Sequence, residues 1–476
     1  MAKKKFYITT TLPYVNAEPH IGFALEIIQT DVVARYYRQQ GYEAFFNTGV
    51  DEHGLKVFRK TQEENLEPQA YCDIYAKRYE GLKQALNLSY NSFIRTTAPH
   101  HIKAAQEFWR RCDKNGDIYK KDYKIKYCVG CELEKTESEL VDGKCSVHPD
   151  QDLEIIKEEN YFFRYSRYQD KLLKFYQKNP RFVLPESRLN EIKEFTKRGL
   201  KDFSISRLKA KMPWGIPVPG DDKHVMSVWF DALVNYISCL GWPNDLEKFN
   251  DFWPGVQVAG KDNLRQQSSM WQAMLISAGL PTSKQILIHG FITVGGQKMS
   301  KSLGNVIDPF DLAKKYGIDA VRYFLLREIP PTEDGDFTYE KFEARYNSDL
   351  ASGLGNLVAR VLTMAEKVSS INYQPSKEKE IEKVIDDARK KYKKALDEFK
   401  FNESLIAIWN LISFSDKYIE KERPWEEKEN QKIVIGNLLF TISNIAEMLR
   451  PFLPETSEKI LKQVATKKSQ SLFPRI

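Results

Sequence analysis

Three short stretches near the start of the chain constrain the fold most. Residues 6–10 are β-branched and aromatic, which favours a strand. Across residues 21–40 the apolar Leu25, Ile28, Val32 and Tyr36 recur at three- and four-residue spacing, the pattern of an amphipathic helix. Gly41 then stands where a helix C-cap glycine belongs. Residues 43–48 are a second strand. Strand, long helix, strand is a βαβ unit, which predicts parallel strands joined by a right-handed crossover. Ligands of open α/β sheets bind beyond the carboxyl ends of the strands. His20 falls there, in the loop between the first strand and the helix, and so does Asp51, in Gly49-Val50-Asp51-Glu52-His53-Gly54. A helix N-terminus suits an anion such as phosphate, and Gly22 permits close approach to the backbone.

Length and composition bound the rest. The chain has 476 residues, enough for two to four domains; 42% are hydrophobic and 29% charged, as in a soluble globular protein. The net charge of +7 permits a polyanionic partner without demanding one. The first residues, MAKKKFYITTT, lack the long apolar run of a signal peptide, and no membrane span is expected elsewhere. Six cysteines without a disulfide framework point to a reducing compartment, by default the cytoplasm.

From about residue 117 the character shifts. Cys128 and Cys131 are followed, after thirteen residues, by Cys145 and His148. Two ligand pairs, each with two residues between its members, are a tetrahedral metal pattern. Thiolates with imidazole suit zinc, and a closed set of four ligands makes the ion structural. Residues 193–211 are a basic run containing Ser204-Ile205-Ser206-Arg207. Residues 228–240 read as one helix, with Trp229 and Tyr236 two turns apart on one face. A short strand over 256–259 leads into Gly260-Lys261-Asp262, a helix runs to Ala278 with Gly279 as its cap, and 286–289 is the last core strand. Lys298-Met299-Ser300-Lys301-Ser302 follows, between Gly295-Gly296 and Gly304. Two lysines there bring positive charge to a phosphate, and the glycines let the loop close and reopen. After residue 342 every long stretch reads as helix: 376–400 is rich in Lys and Glu, and Leu405, Ile408, Trp409, Ile412 and Ile419 keep helical spacing until Pro424.

His20-Ile21-Gly22 early and the Lys-Met-Ser-Lys-Ser stretch late resemble the paired motifs of class I aminoacyl-tRNA synthetases. The surrounding residues narrow the resemblance to the methionyl-tRNA synthetase family, over nearly the whole chain. It implies a Rossmann-type α/β fold at 1–116 and 212–290, interrupted by a connective insertion at 117–211 with a zinc knuckle at 128–148. A connector at 291–341 and an all-α, anticodon-binding domain at 342–476 would follow. The implied reaction joins methionine and ATP into methionyl-adenylate, with Mg²⁺ accompanying ATP, and passes the methionyl group to the terminal adenosine of tRNA(Met).

The resemblance also assigns residues. His20, Lys298, Lys301, Arg207 and Asp262 are the implied catalytic set, and His20, Gly22, Gly260, Asp262 and Lys301 the ATP-binding set. Leu12, Tyr14, Asp51, Trp229, Ala232, Tyr236 and Gln267 match the methionine pocket, with Asp51 receiving the ammonium group. Asn356, Arg360 and Trp425 match contacts to the CAU anticodon. Three positions depart from the pattern: Phe23 replaces the second motif His, Gln267 a pocket His and Leu233 a Pro. A phenyl ring cannot donate to phosphate, which leaves a second function open, an RNA- or tRNA-binding paralogue impaired in activation. Synthetases for leucine, isoleucine or valine would need an editing insertion larger than 117–211, and a cysteinyl enzyme a Cys within 9–20. The lack of an added C-terminal dimerisation domain leads to an expectation of a monomer.

Overall fold

The computed structural model describes residues 3–135, 139–299, 304–368, 379–426 and 430–476. The chain divides into two compact units. The first comprises Met1–Pro19, Tyr37–Lys83 and Ser89–His289; the second comprises His20–Tyr36, Gln84–Leu88 and Gly290–Ile476.

The first unit is built on a six-stranded sheet. Its strand order is Ser92–Arg95, Glu43–Val50, Lys5–Thr9, Val256–Gly260, Gln285–His289 and Val183–Leu184. Every pairing is parallel. Val256–Gly260 is buried at all five positions, as a central parallel strand covered on both faces is, and its polar Gln257 is buried with the rest. The order of connection reverses between Lys5–Thr9 and Val256–Gly260, which makes a topological switch point at their carboxyl ends. The loops after these two strands and after Glu43–Val50 carry Leu12, Tyr14, Asp51 and Asp262.

Two expectations need correction. Residues 228–240 are not one helix but two short ones, Val228–Ala232 and Asn235–Ser238. Bonds from Val234 N to Asp231 O and from Ile237 N to Val234 O span three residues and tighten the path through Leu233 and Val234. Trp229 and Tyr236 therefore do not share one uninterrupted helix face. The helix expected after Asp262 is likewise subdivided, into a 3₁₀ turn Lys261–Asn263, a π turn Gln266–Met270 and the α-helix Trp271–Ser277, before Gly279 at φ +69°.

The inserted segment forms an antiparallel sheet in the order Phe203–Ser204, Glu154–Phe163, Ile118–Cys128 and Leu133–Lys135. The hairpin Leu140–Val141 with Lys144–Cys145 completes the Cys-rich region.

The second unit is mainly helical from Pro309–Tyr316 onward. Lys379–Asp397 carries the Lys/Glu-rich stretch, whose residues 376–378 lie outside the described residues. Phe401–Glu422 buries Leu405, Ile408, Ile412 and Ile419, and it stops at Arg423, whose left-handed backbone precedes Pro424. Gln431–Leu449 is long and apolar enough to cross a membrane by length and composition, where the sequence reading expected no such helix. It is 72% buried inside the protein, as a core helix would be. Arg322 anchors this unit: its guanidinium is fully buried, 2.8 Å from Asp31 Oδ2, and donates to the carbonyls of Leu86, Pro451 and Phe452.

Candidate active site

In the first unit, the loop after Lys5–Thr9 is stitched to the end of Glu43–Val50. Val15 N–H donates to Asp51 O at 3.2 Å, and Asp51 N–H donates to Pro13 O at 2.9 Å. Tyr14 thereby stands directly opposite Asp51 in a parallel bridge. The Asp51 side chain is buried, yet among the described residues its bonds are long, 3.4 Å from His53 N and 3.5 Å from Thr96 Oγ1. Burial pushes its pKa well above the usual carboxylate value, and the facing charge of Asp231 adds to that. A buried carboxylate in this state gains most from a cation. The Tyr14 hydroxyl is buried with no partner among the described residues. The Lys56 ammonium lies 5.1 Å from the centre of the Tyr14 ring, and burial lowers its pKa.

The apolar side of the site comes from the broken helix. Trp229, Tyr236 and Leu12 belong to or pack against one hydrophobic cluster with Trp271, whose ring meets Tyr236 edge-on at 5.9 Å. Ala232 is buried beside them in sequence. Gln267 lies in the π turn at 1% exposure. Its Oε1 accepts from Gln257 Nε2 at 3.3 Å, Gln257 Oε1 accepts from Ser283 Oγ, and Ser283 is bonded in turn to Gln272. This relay fixes the amide of Gln267 with its nitrogen as the donor. Aromatic rings, a small side chain and one amide donor suit a thioether.

Asp262 is exposed directly after Val256–Gly260 and accepts from Asn263 Nδ2 at 3.2 Å. A Cβ on Gly260 would lie 2.8 Å from Asp262 Oδ1, so a larger residue there would displace the Asp262 carboxylate. Arg207 is buried in a polar cage: it donates to Tyr123 Oη at 2.6 Å and to Ser204 Oγ and Ser206 O at 3.3 Å, and sits 3.9 Å from Glu158. Its guanidinium also covers the Tyr127 ring at 4.4 Å.

Cys128, Cys131, Cys145 and His148 converge, with all ligand atoms within 4.8 Å of one another. Cys131 Sγ lies 3.2 Å from His148 Nδ1 and 3.6 Å from Cys145 Sγ, and Cys128 Sγ lies 3.7 Å from His148 Nδ1. Metal–ligand lengths of about 2.0–2.3 Å in a tetrahedron give edges of roughly this size. A Cβ on Gly130 would meet the His148 ring at 2.6 Å, so glycine lets the imidazole in. Hydrogen bonding from Cys131 holds the Cys128 thiol low, at about 3, a thiolate ready for a cation. The knuckle is tied to Trp229, whose Nε1 donates to Cys131 O at 3.1 Å. Glu132 accepts from Lys56 N at 2.6 Å, at the start of the helix Leu55–Glu63, and from the Tyr127 hydroxyl.

The second unit holds the remaining motif residues. Gly22 N–H donates to His20 Nδ1 at 3.1 Å, so the neutral imidazole carries its proton on Nε2. Burial lowers the His20 pKa and favours that neutral form. A Cβ on Gly22 would be 2.9 Å from the His20 ring. Phe23 is buried at 9% exposure. Gly295 and Gly296, both at positive φ, form a tight hairpin turn between Ile292–Val294 and Gln297–Lys298. The turn presents Lys298 at the surface; Lys301, with Ser300 and Ser302, lies outside the described residues. Asn356 is exposed at the start of Asn356–Lys367, and Arg360, one turn on, pairs with Glu420 at 2.9 Å and Asp416 at 3.6 Å. Trp425 is 50% exposed.

A family profile described as class I tRNA synthetases (M) matches residues 6–152 and 130–362, and one described as the anticodon-binding domain of tRNA ligases matches 378–475. The methionine–tRNA ligase of Caldanaerobacter subterraneus subsp. tengcongensis is 43% identical, over 97% of this chain and 74% of that protein. The Brucella suis methionine–tRNA ligase is 40% identical over 99% of this chain and 94% of its own length. The chain belongs to the methionyl-tRNA synthetase family. Among solved structures, the Mycobacterium tuberculosis methionyl-tRNA synthetase in complex with methionyl-adenylate has a TM-score of 0.93 at 37% identity, covering 99% of this chain and 100% of that one. The apo form of the same enzyme has a TM-score of 0.86 at 34% identity, covering 100% of this chain and 99% of that one.

Sequence reasoning about this methionyl-tRNA synthetase family member missed Glu132, Lys56 and Asp231. Glu132 follows a cysteine ligand directly, and Asp231 sits inside the Trp229-to-Ala232 stretch. Apart from the nearby Tyr127 of Glu132, their partners come from distant stretches, as Lys56 does for Glu132 and His53 and His101 do for Asp231.

Proposed function

We propose that the chain activates methionine with ATP and then charges tRNA(Met). The methionine carboxylate attacks the α-phosphorus and pyrophosphate leaves. A ribose hydroxyl of the terminal adenosine of tRNA next attacks the activated carbonyl and AMP leaves. The observation that carries this reading is Asp51, a buried carboxylate at a strand end that pairs with no cation among the described residues, beside Tyr14 and across from Asp231. It fits the substrate ammonium, while Trp229, Ala232, Tyr236 and Gln267 suit the thioether and Leu12 the apolar chain.

Activation asks mainly for positioning and charge stabilisation. His20 offers an Nε2 donor to a phosphate oxygen, and Gly22 keeps the backbone clear for it. Lys298 and Lys301 bring charge to the departing pyrophosphate. Asp262, beside Gly260, holds the ribose, and Arg207 serves the carboxylate or phosphate side. Mg²⁺ bound with ATP would offset phosphate charge. Zinc suits the three thiols and one imidazole, and would brace the knuckle rather than react. Asn356, Arg360 and Trp425 supply polar groups and a stacking surface for unpaired anticodon bases. Six free cysteines fit a reducing, cytoplasmic setting, and a monomer is the simplest assembly.

Phe23 favours a binding-only paralogue on its own, but methionine–tRNA ligases matched along almost the entire chain support the enzyme. The test is methionine-dependent ATP–pyrophosphate exchange, with leucine, isoleucine, valine and cysteine as competitors. Exchange with methionine alone is expected. Exchange driven by another amino acid would overturn the pocket reading, and tRNA binding without any exchange would favour the paralogue.

A further inference from the structure

Four buried side chains outside the set above form one hydrogen-bonded hub. Asp231 and His101 are fully buried, Ser238 is 2% exposed and His53 5%. Asp231 Oδ2 lies 2.7 Å from His53 Nδ1, and Asp231 Oδ1 lies 2.8 Å from His101 Nε2. An imidazole N–H donates to a carboxylate, so His53 uses Nδ1 and His101 uses Nε2. His101 Nδ1 lies 2.9 Å from Ser238 Oγ, which completes that ring's bonding.

The hub joins the two halves of amino-acid recognition. His53 is two residues beyond Asp51, at the end of Glu43–Val50. Asp231 sits between Trp229 and Ala232, and Ser238 shares the short helix Asn235–Ser238 with Tyr236. His101, from Pro99–Lys114, holds both of these short helices. Burial alone would raise the Asp231 pKa, but its interactions with His53 and His101 keep it low. Asp231 is thus fully engaged, and Asp51 is left as the carboxylate for a substrate cation.

We propose that His53 and His101, acting through Asp231, are positioning residues that set the span between the ammonium-binding carboxylate and the thioether slot, and so select amino-acid length. The proposal rests on Asp51 and Trp229 being substrate-binding residues. Neither imidazole needs to touch the substrate.

Side-chain length supplies the test. An Asn amide nitrogen occupies about the place of His Nδ1, and a Gln amide nitrogen about that of His Nε2. His53→Asn and His101→Gln keep the donor to Asp231; His53→Gln and His101→Asn misplace it. ATP–pyrophosphate exchange is measured for each variant, with KM for methionine and for ATP. The matched pair should hold methionine KM within about threefold of the unaltered chain, and the mismatched pair should raise it about tenfold or more, the effect of losing a charge-assisted hydrogen bond. ATP KM should stay constant. In the mismatched pair, preference for methionine over S-methylcysteine, one methylene shorter, and ethionine, one longer, should narrow at least about threefold.

Equal effects of matched and mismatched substitutions, or ATP KM rising in step with methionine KM, would reduce the hub to packing. If His101→Asn does not fold, the His53 pair decides. No exchange in the unaltered chain would overturn the substrate reading and the proposal with it.

Discussion

His20 shows how much one backbone hydrogen bond decides. Gly22 N–H occupies Nδ1, which leaves Nε2 as the donor. His20→Ala is expected to lower the exchange rate about 10²-fold, the worth of one donor to developing charge, with methionine KM unchanged. Phe23 is buried and apolar, and under the proposed reading the charge that builds on phosphate is met by other groups. Phe23→His should therefore shift kcat by less than about threefold, well below one full donor. A large gain would show that the missing His limits this chain. The pH profile adds a check. The folded pKa of His20 lies below the ordinary 6.5 because burial disfavours the cation. The neutral tautomer thus persists as pH falls through 6.5 and is lost only below, when Nδ1 takes a proton and the Gly22 bond breaks. The acid limb of kcat should fall below pH 6.5 and vanish in His20→Gln.

At the scale of elements, the Cys-rich knuckle is tied to Trp229 and to the start of Leu55–Glu63. Trp229 hangs from Cys131 O, and Glu132 receives the first-turn N–H of Lys56 in Leu55–Glu63. Removing the metal should free Cys131 and release Trp229. Chelation is expected to raise methionine KM severalfold while leaving ATP KM near its starting value, and zinc should restore it. A parallel rise in both constants would point to general unfolding. The broken helix belongs at this scale too. The two-turn spacing of Trp229 and Tyr236 favours a continuous helix, but Asp231 is bonded to two imidazoles and the following turn tightens.

At the scale of the whole molecule, each unit has its own buried polar anchor. In the second, Arg322 and Asp31 pair with no exposure, and three carbonyls satisfy the rest of the guanidinium. Removing one partner of such a pair costs about 3–5 kcal/mol. Arg322→Met should lower stability by that order in denaturant unfolding, and Arg322→Met with Asp31→Leu should recover part of it. In the first, Asp117 is 2% exposed and accepts from Tyr168, Ser277, Asn115 and Arg167. Burial opposes its ionisation, but these donors win and depress its pKa. Its stabilisation is present above the unfolded carboxylate pKa of about 3.9 and is lost as pH falls further. Asp117→Asn should flatten the acid side of the stability curve.

The βαβ start, the strand ends that carry Asp51 and Asp262, the metal quartet and the helical second half were legible in sequence. Each rests on local chemistry: residue period, glycine placement and ligand spacing within one short stretch. The resemblance carried by His20-Ile21-Gly22 and the lysine motif pointed to the family in the same way. The break after Ala232, the cage around Arg207, the amide relay behind Gln267 and the hub on Asp231 were not legible. Their partners stand far apart in the chain, as His53 and His101 do from Asp231, and only the folded sheet brings them together. A buried polar group must find its partner wherever packing places one, so tertiary structure alone decides that Asp231 is met by two imidazoles while Asp51 keeps only long bonds among the described residues.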